Sequence, residues 1–282
     1  MNKPIEVKMV SWFDDHFYKV VYAGPNGEAI TDYFPSVTTK LGAIAKPYLA
    51  RWRGDVGNRE ADFRMKEGAD KGTREHWGLQ ALVTGGVVLY QPKNKPSYTR
   101  EEVEQLMKEN DNKVVIFHEQ DEMYDMTKIQ RFCEIVNPEF LQSEFIVIDI
   151  ENRDAGTTDA IWGIKAGSYL VNGSKPLVLP EGKYIVDLKS GSVVGDEALM
   201  QIASYAKMAD KMEQGPIVGG LILHTQGKNR SGIEGLNVIY LTKEEIDEEY
   251  HDYRLISEIW TKKFGSMKPT VRDLPTLIQL KK

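Results

Sequence analysis

Residues 182–192 read GKYIVDLKSGS and set an acid and an amine two positions apart inside an otherwise apolar run. On a strand, successive side chains point to opposite faces. Tyr184, Val186 and Leu188 then share one face, and Ile185, Asp187 and Lys189 share the other. The Asp187 and Lys189 Cα atoms stand roughly 6.5 Å apart by strand rise. Alone, such a D-x-K is an ion pair on the solvated side of an edge strand. Any other reading needs partners from elsewhere in the chain.

The bulk composition narrows the field. A chain of 282 residues, 41% hydrophobic and 10% aromatic, can bury a sizeable core and is not compositionally disordered. It contains no run of eighteen apolar residues, and MNKPIEVKMV lacks the apolar stretch of a signal peptide. A single cysteine, Cys133, permits neither an internal disulfide nor a multi-cysteine zinc or iron–sulfur centre, which fits a reducing, intracellular setting. The net charge of −6 announces no general affinity for nucleic acid, so any polyanion site must be local. Charge is unevenly spread: residues 101–125 hold nine acids against Lys108 and Lys113, and residues 262–282 hold six bases against Asp273. Runs of this kind ordinarily form solvated faces or tails. No P-loop, no dinucleotide-binding glycine fingerprint after a strand and no G-x-S-x-G occurs.

Read along its length, the chain begins with strands, EVKMVSWF and FYKVVYAG, then a Gly24-Pro25-Asn26-Gly27 turn and EAITDYF. From Pro47 to Gly86 the pattern becomes helical, with a break at Gly54–Gly57. The breaker-rich PKNKP at 92–96 opens what reads as an insertion, where Thr99 and Glu102 form a capping box. TKIQRFCEIVNPEFLQ reads as a helix, followed by strands EFIVIDIEN, GTTDAIWGI, YLVNG and KYIVDLKSG. The helix DEALMQIASYAKMADKM, the strands VGGLILHT and LNVIYL, and a C-terminal helix capped by Thr242 and Glu245 complete the pattern. An α/β or α+β protein of one domain, 1–282, follows. Its expected parts are an N-terminal β region with a hairpin (1–44), a helical region with an acidic insertion (45–140, the insertion at about 92–125), a core (141–240), and a C-terminal helix with a basic tail (241–282).

Several residues outside the D-x-K carry chemistry. Asp159 follows what reads as a Gly-Thr-Thr turn at the start of an apolar strand, and if that strand pairs with 182–189 the two aspartates converge. Two such carboxylates repel unless a proton or cation lies between them, and hard oxygen ligands suit Mg²⁺ or Mn²⁺. Gln201 and Tyr205, four apart on a helix, share a face. Glu144 precedes the first core strand, and His76 lies on an early helix. Each has an ordinary explanation alone: a turn cap for Asp159, a packed histidine, helix decoration, a strand flank.

As an ordered set, Gly72-Thr73 with His76, Glu144, Gly156-Thr157-Thr158-Asp159, Asp187-Leu188-Lys189 and Gln201 with Tyr205 resemble the PD-(D/E)XK nuclease superfamily, in particular its RecB-like exonuclease branch. YFPSVTTKLGAIAKPYLARW is similar to the opening of phage-type members. The resemblance implies a restriction-endonuclease-like fold, a central mixed β-sheet flanked by helices. It implies that Asp159, Asp187, the Leu188 carbonyl and His76 hold Mg²⁺ or Mn²⁺, and that Lys189 positions the attacking water. Gln201 and Tyr205 would steady Lys189 and the phosphate, with Glu144 as an accessory acid. The substrate would be DNA, at single- or double-stranded ends. The setting would be DNA recombination, repair or phage DNA processing in the bacterial or phage-infected cytoplasm, with a recombinase or single-strand-binding protein as a possible partner and no membrane.

Phosphate contacts are expected from Arg51 and Arg53, with Trp52 interleaved, and from Lys228 and Arg230 in the QGKNRSG turn. For the first group, an amphipathic helix that buries Tyr48 and Trp52 is an equal alternative. Two other classes compete with a nuclease. One is a catalytically silent DNA-binding or recombination adaptor on the same fold; the other is an interaction protein whose acidic segment docks a partner.

Overall fold

The computed structural model describes residues 4–12, 15–173 and 175–269. Three antiparallel strands, β1 (Pro4–Trp12), β2 (Asp15–Ala23) and β3 (Ala29–Pro35), form an N-terminal sheet rather than a lone hairpin. A short helix, α1 (Val37–Leu41), leaves it with Ser36 as its N-cap. Two helices follow, α2 (Pro47–Val56) and the long α3 (Asn58–Val83).

The stretch expected to be helical through residue 140 contains two strands. These are β4 (Val87–Tyr90) and β5 (Val114–Phe117), paired in parallel and connected through α4 (Arg100–Glu109). Parallel neighbours require a crossover, and the segment read as an acidic insertion supplies it. The Thr99–Glu102 capping box forms as expected. Helix α5 (Gln120–Val136) ends sooner than the sequence suggested: Asn137 adopts φ 48° as its C-cap, and Glu139 to Gln142 belong to the next strand.

The core sheet comprises β6 (Glu139–Asp149), β7 (Asp154–Ile164), β10 (Gly182–Lys189), β11 (Ile217–His224) and β12 (Asn237–Leu241), ordered β12-β11-β10-β7-β6. Between β7 and β10 stands a hairpin, β8 (Gly167–Asn172) with β9 (Lys175–Leu179). The β10–β11 pair is parallel and its neighbours are antiparallel, so the sheet is mixed. Helix α6 (Asp196–Lys211) makes the parallel crossover, and α7 (Lys243–Phe264), capped by Thr242 and Glu245, closes the described chain. Of the basic tail, residues 270–282 lie outside the described residues, including Arg272, Lys281 and Lys282.

Strand β10 lies in the middle of the sheet, not at an edge, and both of its faces are covered. Tyr184, Val186 and Leu188 pack with Trp162, Leu221 and Leu223 against Ile129 and Phe132 of α5. On the other face Ile185, Ile161 and Ile222 pack under Ile202, Ala203 and Ala206 of α6. Each such side chain contributes about 1.5–3 kcal/mol when fully buried. Two apolar layers thus hold β10 rigidly, and its last residues, Asp187 to Lys189, emerge beside the ends of β7 and α6. Among the described residues no helix is long and apolar enough to cross a membrane.

Candidate active site

The site arises where the β7–β10 ladder stops. Pairing runs from Gly182↔Ile164 to Val186↔Ala160, which makes Asp187 and Asp159 the next residues on the same face. Instead of a further backbone bond, the Leu188 N–H donates to Asp159 Oδ2 at 2.7 Å. Gly156-Thr157-Thr158 is not a turn; it is the interior of β7, and Asp159 sits in mid-strand. Glycine at 156 has a steric reason, since a Cβ there would overlap the ring of Tyr205 from α6.

Glu144 lies inside β6 rather than before it. Its neighbours pair in register, Ser143↔Ala160 and Phe145↔Thr158, while Glu144 itself adopts φ 49°, rare for a non-glycine residue within a strand. The distortion puts its carboxylate beside Asp159. His76 arrives from α3, its Nδ1 3.0 Å from Asp159 Oδ1. One ligand atom from each of His76, Glu144 and Asp159 lies within 4.8 Å of the others. These three face a cavity of about 600 Å³ with Gly72, Thr73 and Trp77 on its walls.

The other half of the constellation is a relay. Lys189 Nζ stands 2.9 Å from Asp187 Oδ2, in contact but without hydrogen-bond alignment. It donates to Gln201 Oε1 at 3.1 Å, and Gln201 Nε2 donates to the Tyr205 hydroxyl at 3.2 Å. Asp187 is 2% exposed, and its Oδ2 has no hydrogen-bond partner. Its carboxylate contacts Lys189 and feels the charge of Asp159, while the ligand atoms that lie within 4.8 Å of one another belong to His76, Glu144 and Asp159. Leu188 contributes its N–H, while its side chain is buried in the opposite core layer.

The electrostatics describe a site short of positive charge. Burial pushes the Asp187 carboxyl up, Lys189 pulls it back and Asp159 adds to the rise. Enclosure by the cavity and the charge of Asp159 push Glu144 up, although it is open to solvent on one side. Burial disfavours the charged form of His76, yet the Asp159 carboxylate outweighs it and raises the imidazole to about 9. Burial likewise opposes the Lys189 charge, and Asp187 prevails, so the amine is raised and remains a cation. A divalent cation at His76, Glu144 and Asp159, with Asp187 adjacent, fits this donor set and would relieve the repulsion.

The His76–Asp159 pair fixes a pH dependence. Because the folded-state value is raised from 6.5 to about 9, the pair's stabilisation is fully present below pH about 6.5 and is lost as pH rises through about 9. In EDTA, His76→Gln is expected to lower Tm at pH 6 and to leave it nearly unchanged at pH 10. Equal losses at both pH values would show that the imidazolium does not form. Metal ligation needs the neutral ring, so Mn²⁺ binding at pH 7.5 is also expected to release a proton, measurable by calorimetry in buffers of differing ionisation enthalpy.

A buried polar network behind the site was not anticipated. Glu122 and Asp125, counted in the sequence among a solvated acidic run, are buried; Arg74 pairs with Glu122, and Lys71 stands 3.0 Å from Asp125 Oδ2. Lys128 bonds Asp125 and the Thr225 carbonyl, each at 2.6 Å, and the Thr225 N–H donates to the Lys189 carbonyl at 3.0 Å. The network therefore ties α3 and α5 to the end of β10. Within it Glu75 is fully buried, and burial, with Asp125, raises its carboxyl to about 8 against the pull of Lys71. The folded state holds that proton between pH 4.5 and about 8, so this group costs stability increasingly as pH rises through that window. Glu75→Gln is expected to raise Tm by several degrees at pH 9 and little at pH 5, read by thermal melts. A gain independent of pH would contradict a protonated Glu75.

The residues expected to hold DNA are not gathered at this cavity. Helix α2 buries none of its residues, and Tyr48 is 62% exposed rather than buried as the amphipathic alternative expected. Arg53 is engaged by Asp62 at 2.6 Å, while Arg51 is exposed and Trp52 half-buried. Lys228 and Arg230 are exposed after β11, and Lys228 borders a separate cavity of about 200 Å³ with Ser192 and His224. No protein-family model matches the chain, and no curated protein matches it.

Proposed function

We propose that the chain is a Mg²⁺- or Mn²⁺-dependent deoxyribonuclease of the PD-(D/E)XK type, a RecB-like exonuclease on a restriction-endonuclease-like core, serving DNA recombination, repair or phage DNA processing. The observation that carries this reading is the convergence of Asp159, Asp187 and Lys189 where the β7–β10 ladder stops, with His76 and Glu144 sharing the cavity of Asp159. His76, Glu144, Asp159 and Asp187 would hold the cation. Bound there, it would polarise a phosphoryl oxygen and acidify a water.

The chain's own groups supply the rest. Lys189, kept cationic by Asp187, orients the water for in-line attack and offsets the charge that grows on the phosphoryl oxygens. A P–O bond to water forms as the bond to the leaving oxygen breaks. Gln201 accepts from the Lys189 ammonium and fixes it, and Tyr205, seated over Gly156, fixes Gln201. Both act through Lys189 and are positioning residues.

The test is incubation of end-labelled linear single- and double-stranded DNA and a closed circle with Mg²⁺, Mn²⁺ or EDTA. Cation-dependent loss of the linear substrates, with the circle spared, is the expected result. Failure to cleave any of them, or a model phosphodiester, by a folded protein would favour a silent binding module.

A further inference from the structure

Trp77 follows His76 on α3, and its indole is 55% exposed. A lone exposed aromatic needs no explanation. This one stands where two cavities meet. Trp77 and Gln80 line both the cavity holding His76, Glu144 and Asp159 and a second one, of about 690 Å³, between α3 and β5. The second cavity is further lined by Thr84, Asn112, Lys113 and Val115. Beside it α3 lies close on β5 and α5: a Cβ at Gly78 would stand 2.7 Å from Met126 Sδ and 3.0 Å from the Phe117 ring.

Its chemistry is that of a strand-binding groove. Arg74, also on its wall, is paired with Glu122, whereas the Lys113 amine donates to the uncharged Thr84 carbonyl at 3.1 Å. Its lining combines apolar Val114, Val115 and Ile116 with the indole-bearing Trp77, the amides Gln80 and Asn112 and the hydroxyl-bearing Thr84. Sequence-tolerant binding of single strands uses this combination of stacking and positive charge.

We infer that this groove binds the single-stranded nucleotide next to the scissile phosphodiester, with its base stacked on Trp77 and its backbone met by Lys113. The inference rests on the nuclease reading. Inside a duplex both faces of every base are stacked and closed to an indole, whereas each base of an unpaired end can offer its face, so the occupant proposed is an unpaired end.

The test uses Asp187→Asn protein, whose expected residual rate spares the probe during the measurement, with Mg²⁺ and fluorescein-labelled oligothymidylate or a blunt hairpin duplex, followed by anisotropy. Adding Trp77→Ala is expected to weaken oligothymidylate binding roughly 5- to 150-fold, the equivalent of one lost stack. Trp77→Phe should retain most of the affinity. Lys113→Ala should flatten the dependence of log affinity on log salt by about 0.7, one phosphate contact on a single strand. Circular dichroism checks folding, which substitution of an exposed side chain should spare. Unchanged affinity in Trp77→Ala, an equal loss for the blunt duplex, or an unaltered salt slope in Lys113→Ala overturns the subsite while leaving the nuclease reading standing. A parent that binds neither nucleic acid overturns both.

Discussion

Lys189→Ala is expected to lose at least about 10³-fold in the single-turnover rate of DNA cleavage, the scale set by a positioned proton-transfer or charge-stabilising group. The geometry gives the reason. Lys189 is the cation the chain itself places between Asp187, at 2.9 Å, and Gln201, at 3.1 Å, with its side chain 29% exposed toward solvent. Its charge survives burial because Asp187 and Asp159 hold it. Lys189→Arg should not restore activity, since a planar guanidinium cannot occupy the place of a compact ammonium. Asp187→Asn should fall to a similar residual rate, and the double variant should be little worse than either, because the two act as one unit. Additive losses would mean that Asp187 and Lys189 serve separate steps. Loss of Lys189 leaves Asp187 buried without its counter-charge, so melts of each variant belong beside the kinetics.

Asp154→Ala is expected to be the most damaging single change to stability. Lys40 of α1 is 1% exposed and forms an ion pair with Asp154, whose carboxylate also accepts from Tyr253 at 2.8 Å and Arg254 at 3.2 Å; Lys40 donates in turn to Ser257 at 3.0 Å. Three residues from α1 and α7, Lys40, Tyr253 and Arg254, thus meet on the first residue of β7, and Ser257 joins them through Lys40. Burial drives the Lys40 amine below its ordinary value, and Asp154 is the main force holding it charged. Removing one member of a buried pair typically costs about 3–5 kcal/mol. A chain of this size then melts roughly 10 °C lower. Lys40→Met with Asp154→Leu should recover part of the loss, because it removes the stranded Lys40 charge while Tyr253 and Arg254 still lose their acceptor. A melt of Asp154→Ala within a degree of wild type would show that Lys40 reaches water or another acid.

The period-two alternation of 184–189 was legible because both faces of β10 are covered, and it correctly divided the residues between the two core layers. The strand's place at the centre of the sheet was not, since a D-x-K reads equally well at an edge. Val87–Tyr90 and Val114–Phe117 were missed because four-residue apolar runs show no period. The end of α5 was obscured by Phe140 and Leu141, which continue a helical spacing past Asn137 although they belong to a strand. Gly156-Thr157-Thr158 has the chemistry of a turn, and burial in β7 overrode it. Glu122 and Asp125 looked solvated because the cations that neutralise them, Arg74 and Lys71, belong to a distant helix. For the site, the order of acids, lysine, glutamine and tyrosine was readable. The contact of Asp187 with Lys189, the positive φ of Glu144 and the position of Trp77 between two cavities depend on packing alone.

The decisive measurement is the rate at which acid-soluble nucleotide is released from uniformly labelled linear DNA, with wild type and Asp187→Asn assayed side by side in Mn²⁺ and in EDTA. Release by wild type in Mn²⁺ alone, with the variant reduced to the EDTA background, is expected. Equal release by both proteins, or none by a folded wild type, would contradict a hydrolytic role for the Asp159–Asp187–Lys189 site.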